Sequence, residues 1–391
     1  MPAALVALAA CAGVSIDPAT ADGTRVPTRS LDAAERQRVT ELVEAAMTAV
    51  DQRRFAEAEV AAREAIDLEP RNARALAVAA MARLAGASAV TPPDLHIAHD
   101  AEYTMRLAAQ LGPDDAFVGW MHAVFLAETG HMSAAAETAE RALARATAAP
   151  ANERAALLLT AGTYRYELGE ERRALPHLQG YLNLRPDDAA TCFRTGSCLL
   201  RIAAVPQGIP PVSVLVAQRN AEAAAGSFSR CLELAPGDED ASLAIATALW
   251  RAGELAAQLA RDHANERRDH DDAATASRHR AAARQHLHAA AAAFPASAEP
   301  WFRLGVVLTA ENALDEARAA YQQALRRDPR HPGSLLNFAA MLDEAGDRQA
   351  AALLLQQVLA VDAAAPVLTP SERKRVRERL EAPVDQAPRM L

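Results

Sequence analysis

The sequence predicts an all-α solenoid of stacked helical hairpins, closed at its C-terminal end by one further helix. Three observations predict it. Apolar residues recur at i, i+3, i+4 and i+7 along nearly the whole chain, which is the spacing of one helix face. Pro and Gly break that pattern at short intervals, so the helices are short and no sustained coiled coil forms. A frame the length of residues 298–331 repeats along the chain, and repetition at that period is the signature of an array. Composition agrees. Hydrophobic residues make up 51% and charged residues 23% of the 391, which excludes intrinsic disorder. A formal charge of −9 argues against a nucleic-acid partner recognised through a basic surface. Four cysteines in so long a chain cannot form a disulfide-dense scaffold.

The chain opens on MPAALVALAACAG, a short apolar run ending in small residues and Cys11. This resembles a bacterial lipobox. The resemblance implies cleavage before Cys11, lipidation of that cysteine and a membrane anchor. Ala12 stands where an aspartate would imply inner-membrane retention, so the expected place is the periplasmic face of the outer membrane. No Lys or Arg precedes the run, a departure from the pattern of secretory signals, and a cytoplasmic chain is the alternative. The run is too short to span a bilayer as a helix. Residues 14–29, VSIDPATADGTRVPTR, have no apolar period and are expected to be a flexible linker, so that 1–29 form a signal segment and tether.

The repeat is clearest in 298–331. Trp301, Leu304, Gly305 and Leu308 mark one helix; Ala317, Tyr321 and Ala324 mark a second; Pro329 stops it. Gly305 and Ala317 carry almost no side chain, so the two helices are expected to cross closely. The same frame recurs in units near 39–72, 73–115, 116–154, 155–188, 189–238, 239–297, 298–331 and 332–365. Three are lengthened in the middle, by AGASAVTPPDLH, AAVPQGIPPVSV and the charged run 254–279. The first two contain Pro-Pro and are expected to be loops; the third lacks Pro and Gly after Gly253 and is expected to extend a helix. This pattern, W-x2-L-G-x2-L followed by A-x3-Y-x2-A-x4-P, resembles the tetratricopeptide repeat (TPR) over residues 30–368. The resemblance implies a right-handed superhelical solenoid of about eight helix-turn-helix units.

Thr369-Pro370-Ser371-Glu372 reads as a capping box with proline at the first helical position, and opens the segment 369–391. The helix it starts is charged on most faces, with Val376 and Leu380 apolar one turn apart. Glu372, Glu378 and Glu381 alternate with the arginines, so its charges are expected to pair among themselves while the helix caps the array.

No nucleophile elbow, phosphate-cradling loop, dinucleotide fingerprint or HExxH is present. The expectation is no enzyme, no cofactor and no small-molecule substrate. His263, His270, His279, His286 and His288 cluster with Asp262, Asp269, Asp271 and Asp272, but no two of the histidines have the i, i+3 or i, i+4 spacing of a helical metal site. The expected state is a solvated charged insertion, with no metal; a metal-binding or catalytic role through 254–288 is the remaining alternative. Cys192 and Cys231 fall at matching levels of one hairpin, with Cys198 nearby; a disulfide and buried thiols are both open.

In the repeats this chain resembles, the first helix of each unit lines a concave groove. Carrying over the groove positions implies Met47, Met81, Trp120, Met121, Tyr166, Phe193, Trp250, Phe302, Arg303 and Asn337 as partner-binding residues. The Lys and Asn that hold a carboxylate terminus in chaperone-binding members are replaced by Leu159 and Thr163, Phe302 and Val306, Leu336 and Ala340. The implied partner is an apolar peptide or amphipathic helix of another protein, with an envelope assembly of pilus or secretion type as the setting.

Overall fold

The computed structural model describes residues 31–89, 95–204, 211–265 and 272–381. Cys11, the predicted linker and the tail after Glu381 lie outside them. The described residues are helical throughout their ordered elements, with no strand among them, and fall into two compact units that divide between Asp187 and Asp188.

In the first unit α1 (Ala33–Asp51) pairs with α2 (Phe55–Leu68), and α3 (Ala73–Ala89) with α4 (Leu95–Leu111). Next, α5 (Ala116–Glu128) pairs with α6 (Met132–Arg145), and α7 (Ala151–Glu167) with α8 (Glu171–Leu184). In the second unit α9 (Ala189–Ile202) pairs with α10 (Pro211–Leu234), and α11 (Glu239–Asn265) with α12 (Asp272–Ala293). The last pairs are α13 (Glu299–Ala310) with α14 (Leu314–Arg327) and α15 (Pro332–Glu344) with α16 (Arg348–Ala364); α17 (Pro370–Glu381) follows. Second helices also pack on the first helix of the next hairpin, as α2 does on α3, α6 on α7 and α10 on α11. Each hairpin therefore hides its apolar flank only with a neighbour's help.

Local chemistry sets the helix ends. Asp32 and Glu35 form a reciprocal capping box on α1. Asp115, Asp188 and Asp238 accept from Phe117, Thr191 and Ala241 N–H groups, each at 2.9 Å, and so start α5, α9 and α11. Inside the hairpins the turn needs a left-handed residue. Gly130, Gly169 and Gly346 supply it at φ of 85°, 73° and 86°, while Asn312 and Arg53 take the same place at 61° and 57°.

The close crossing is filled by an aromatic ring. A β-carbon on Gly305 would sit 2.6 Å from Cε1 of Tyr321, so Gly305 receives the Tyr321 ring, with Ala317 buried in the same core. Gly162 receives Leu178 and Gly196 receives Phe228 in the same way, at 2.7 and 2.8 Å.

Two insertions are more helical than expected. AGASA lies within α3, because alanine holds the helix to Ala89, and Pro211 opens α10 from within the second insertion. The charged run 254–279 lengthens α11 and α12, with 266–271 outside the described residues. Helices α1 and α7 also begin earlier than the repeat frame, at Ala33 and Ala151.

The final helix docks through Val376, buried in the same core as Leu342 and Leu355, with Leu380 beside it. Its charges do not pair only among themselves. Lys374 meets Glu378 at 3.6 Å, but Arg379 reaches back to Asp343 and Arg373 to Asp362. Asp362 also accepts from the N–H groups of Val367 and Leu368, at 3.0 and 2.9 Å. The Arg373 guanidinium, aided by those amides, holds the Asp362 carboxyl well below the usual carboxylate range. The cap is thus fixed by apolar contact plus two arginine–aspartate clasps.

Candidate functional site

The sequence-predicted stripe falls on the first helices of both units, and the two units treat it differently. In the first, α1 touches α3, α3 touches α5 and α5 touches α7. Arg74 ties this row together, reaching Asp115 at the start of α5 and Glu153 of α7, both at 2.8 Å. Residues Ala75 to Ala80 of α3 are all buried, since their small side chains let the neighbouring helices close over them. Met121 is buried at 5% exposure, and it therefore belongs to the interior and not to a binding face. Met47, Met81, Trp120 and Tyr166 are half-buried. Trp120 meets Phe117 edge-on at 5.8 Å.

The second unit is more open along α11, α13 and α15. Trp250, Phe302 and Leu336 rest on one core cluster while keeping part of their surface exposed. Val306 is 37% exposed, and Thr247 and Asn337 are exposed as well. Arg303 joins the helices: its Nη1 donates to Thr247 Oγ1 at 2.9 Å and its Nε to Glu299 Oε1 at 2.7 Å. The Phe302 ring lies 5.0 Å from that of His331, and a β-carbon on Gly333 would meet Phe302 at 2.8 Å. Arg280 covers one side of Trp250 at 5.5 Å. The His331 ring, then the Arg303 guanidinium, hold the Glu299 carboxyl down to about 2, so this flank stays ionised at neutral pH. Phe193 packs edge-on against Phe228 of its own hairpin at 5.3 Å.

The result is a partly open strip of aromatic and aliphatic edges flanked by Arg303 and Asn337. It joins partly exposed apolar edges to a few polar groups.

Cys192, Cys198 and Cys231 are buried thiols, so the Cys192–Cys231 disulfide is not formed. Burial and the neighbouring Asp238 push the Cys231 thiol up to about 11, which keeps it protonated and unreactive. His279 pairs with Glu222 at 2.9 Å and His288 sits edge-on to Trp301 at 6.3 Å. Burial lowers the pKa of His286. The side chains of His263 and His270 lie outside the described residues. Among the described residues no group of three His, Cys, Asp or Glu side chains could hold a metal. No described helix is long and apolar enough to cross a membrane.

Sequence reasoning missed one buried polar centre. Arg165 of α7 is 1% exposed and forks onto Glu140 of α6, with Nε–Oε1 at 2.9 Å and Nη2–Oε2 at 2.6 Å. Its Nη1 reaches Glu170 at 2.8 Å, and Arg173 and His177 also meet Glu140, at 2.9 and 3.3 Å. The helical period places Arg165 on the same face as Leu158, Ala161 and Gly162, where Leu308 stands in 298–331, but it does not show what would pair a buried arginine; the partners lie on other helices and turns.

Residues 266–332 match the sequence profile of the tetratricopeptide repeat. No curated protein matches the chain. Among solved structures, MamA from residue 41 to its end, from Desulfovibrio magneticus RS-1, is 18% identical with a TM-score of 0.39, over 54% of this chain and 97% of that one. YrrB, described as a TPR protein with an unusual peptide-binding site, is 15% identical with a TM-score of 0.42, over 59% and 95%. Pseudomonas aeruginosa PilF is 15% identical with a TM-score of 0.42, over 58% and 93%.

Proposed function

We propose that this tetratricopeptide-repeat protein is a non-enzymatic scaffold that holds an apolar peptide or amphipathic helix of a partner protein against α11, α13 and α15. Protein–protein interaction is what the repeat fold supports. One observation carries the choice of face: Trp250, Phe302 and Leu336, from three successive first helices, share one core cluster yet leave their edges open. Rigid apolar anchors beside a few orienting polar groups suit a helix-in-groove or extended-peptide mode. The test compares partner capture from native membranes by wild-type, Trp250→Ala and Phe302→Ala chains. Each substitution is expected to weaken the captured complex by about 2 kcal/mol, roughly thirtyfold, with helicity unchanged. Equal recovery by all three chains rejects this face.

We further propose that the scaffold is a lipoprotein, held through Cys11 at the periplasmic face of the outer membrane and serving an envelope assembly of pilus or secretion type. The support is the Leu8-Ala9-Ala10-Cys11 sequence, the polar stretch after it and the repeats that follow. Cys11→Ser should move the protein from the membrane to the soluble fraction and abolish palmitate labelling. Unlabelled wild-type protein in intact cells, or a variant that remains membrane-bound in equal proportion, would leave the cytoplasmic adaptor instead.

A further inference from the structure

A second feature of the first unit lies away from the predicted stripe. The C-terminal turn of α4, at Gly112 and Pro113, faces α5 and α6 across a cleft of about 160 Å³. Gly119 lets α5 and α6 approach closely at its floor, since a β-carbon there would fall 2.4 Å from that of Ala142. The polar lining comes from four side chains: His122 of α5 and Thr138, Arg141 and Arg145 of α6. No carboxylate lines the cleft. Arg141 and Arg145 stand one helical turn apart and are exposed, and neither pairs with a carboxylate among the described residues. Arg141 Nη2 donates to the buried Thr138 hydroxyl at 2.9 Å, which fixes that guanidinium at the rim.

We propose that this cleft binds a phosphate-type oxyanion through Arg141, Arg145 and His122. Two uncompensated guanidinium groups match a doubly charged tetrahedral anion, each able to donate two parallel hydrogen bonds; a single carboxylate would leave one cation unmet. A cleft of about 160 Å³ has room for a phosphoryl group. General attraction is not the source, because the chain carries −9 overall and its far field repels anions. The local charge is nonetheless positive, since Arg141 and Arg145 line the cleft with no carboxylate; burial first, and Arg141 second, lower the pKa of His122, which offers a ring N–H. The ligand is either free inorganic phosphate or the phosphoryl headgroup of a lipid, and the two present the same chemistry to the cleft.

The test uses the full chain carrying Cys11→Ser, which removes acylation as a source of vesicle binding. Radiolabelled inorganic phosphate is measured by equilibrium dialysis in chloride buffer. Vesicles containing phosphatidic acid are measured by co-sedimentation against pure phosphatidylcholine. Saturable binding of phosphate, weakened about tenfold or more by Arg145→Gln and lost with Arg141→Gln added, is the expected result. If only the phosphatidic acid vesicles bind, with the same dependence on the two arginines, the proposal stands with the headgroup as ligand. The proposal is overturned if neither ligand saturates, if the folded variants bind as the parent does, or if acetate competes as well as phosphate.

Discussion

Arg165→Ala is expected to destabilise the first unit by about 3–5 kcal/mol at neutral pH, the usual cost of breaking a buried ion pair from one side. The guanidinium is 1% exposed and meets both Glu140 and Glu170, whereas Arg173, which bridges the same two carboxylates, is about half exposed at 53%. Truncation removes three charge-assisted hydrogen bonds and leaves Glu140 facing a void, held only by Arg173 and His177. Arg165→Lys should not restore the loss, since an ammonium cannot reproduce the planar fork onto Glu140. The pH dependence has a defined sign. Arg165, by its hydrogen bond first, lowers the Glu140 pKa below its ordinary 4.5. That pair therefore stabilises the fold above the unfolded carboxyl pKa, and the contribution fades as pH falls through the lower folded value. The gap between wild type and Arg165→Ala should shrink in acid. Urea unfolding followed by Trp120, in a chain whose Trp250 and Trp301 are replaced by Phe, measures it for this unit. A gap below about 1 kcal/mol at neutral pH, or one that does not change with pH, contradicts the reading.

What the sequence made legible was whatever a helix encodes within itself. The apolar period gave the hairpins, and the glycines at 130, 169 and 346 fell where a left-handed turn residue is needed. Pro370 and Thr369 announced the last helix, whose Glu372 closes back on the Thr369 N–H at 2.8 Å. What it hid depends on how near a neighbouring helix comes. Ala75–Ala80 form an unbroken apolar run, and only the packing of α1, α2, α4 and α5 on α3 shows that all six are buried. Met121 was assigned to the groove by its place in the frame, yet it lies inside for that reason. Arg373 and Arg379 sit among glutamates in sequence, and their aspartates come from earlier helices. Arg165 is the extreme case, because its fork is completed by a glutamate from the preceding hairpin. Charge pairing across hairpins has no period to read.

Tyr321→Ala is expected to cost the second unit about 3–5 kcal/mol, as for other large buried aromatics cut to alanine. The ring is 1% exposed, stacks on Phe338 at 5.7 Å and places its hydroxyl 3.3 Å from Thr309. The ring also fills the space that Gly305 leaves, with Cδ1 and Cε1 at 2.7 and 2.6 Å from where a β-carbon would stand. Two positions on facing helices therefore share one volume, and their substitutions must interact. Gly305→Ala alone should destabilise by about 1–3 kcal/mol, because overpacking against a ring wedged by Phe338 outweighs the gain in helix propensity. With Tyr321→Ala already present the ring is gone, and Gly305→Ala should stabilise by up to about 1 kcal/mol through propensity alone. The sign of one substitution thus reverses with the identity of the other. Urea unfolding of the four chains, followed by Trp250 and Trp301 with Trp120 replaced by Phe, gives the cycle. A Gly305→Ala effect that is neutral in both backgrounds would mean that the helices adjust their spacing freely. A packed hairpin with a neighbour on each flank has no room to do so: α13 touches α14 on one side and meets α12 and α15 on the others, so any retreat from Tyr321 opens an apolar seam elsewhere.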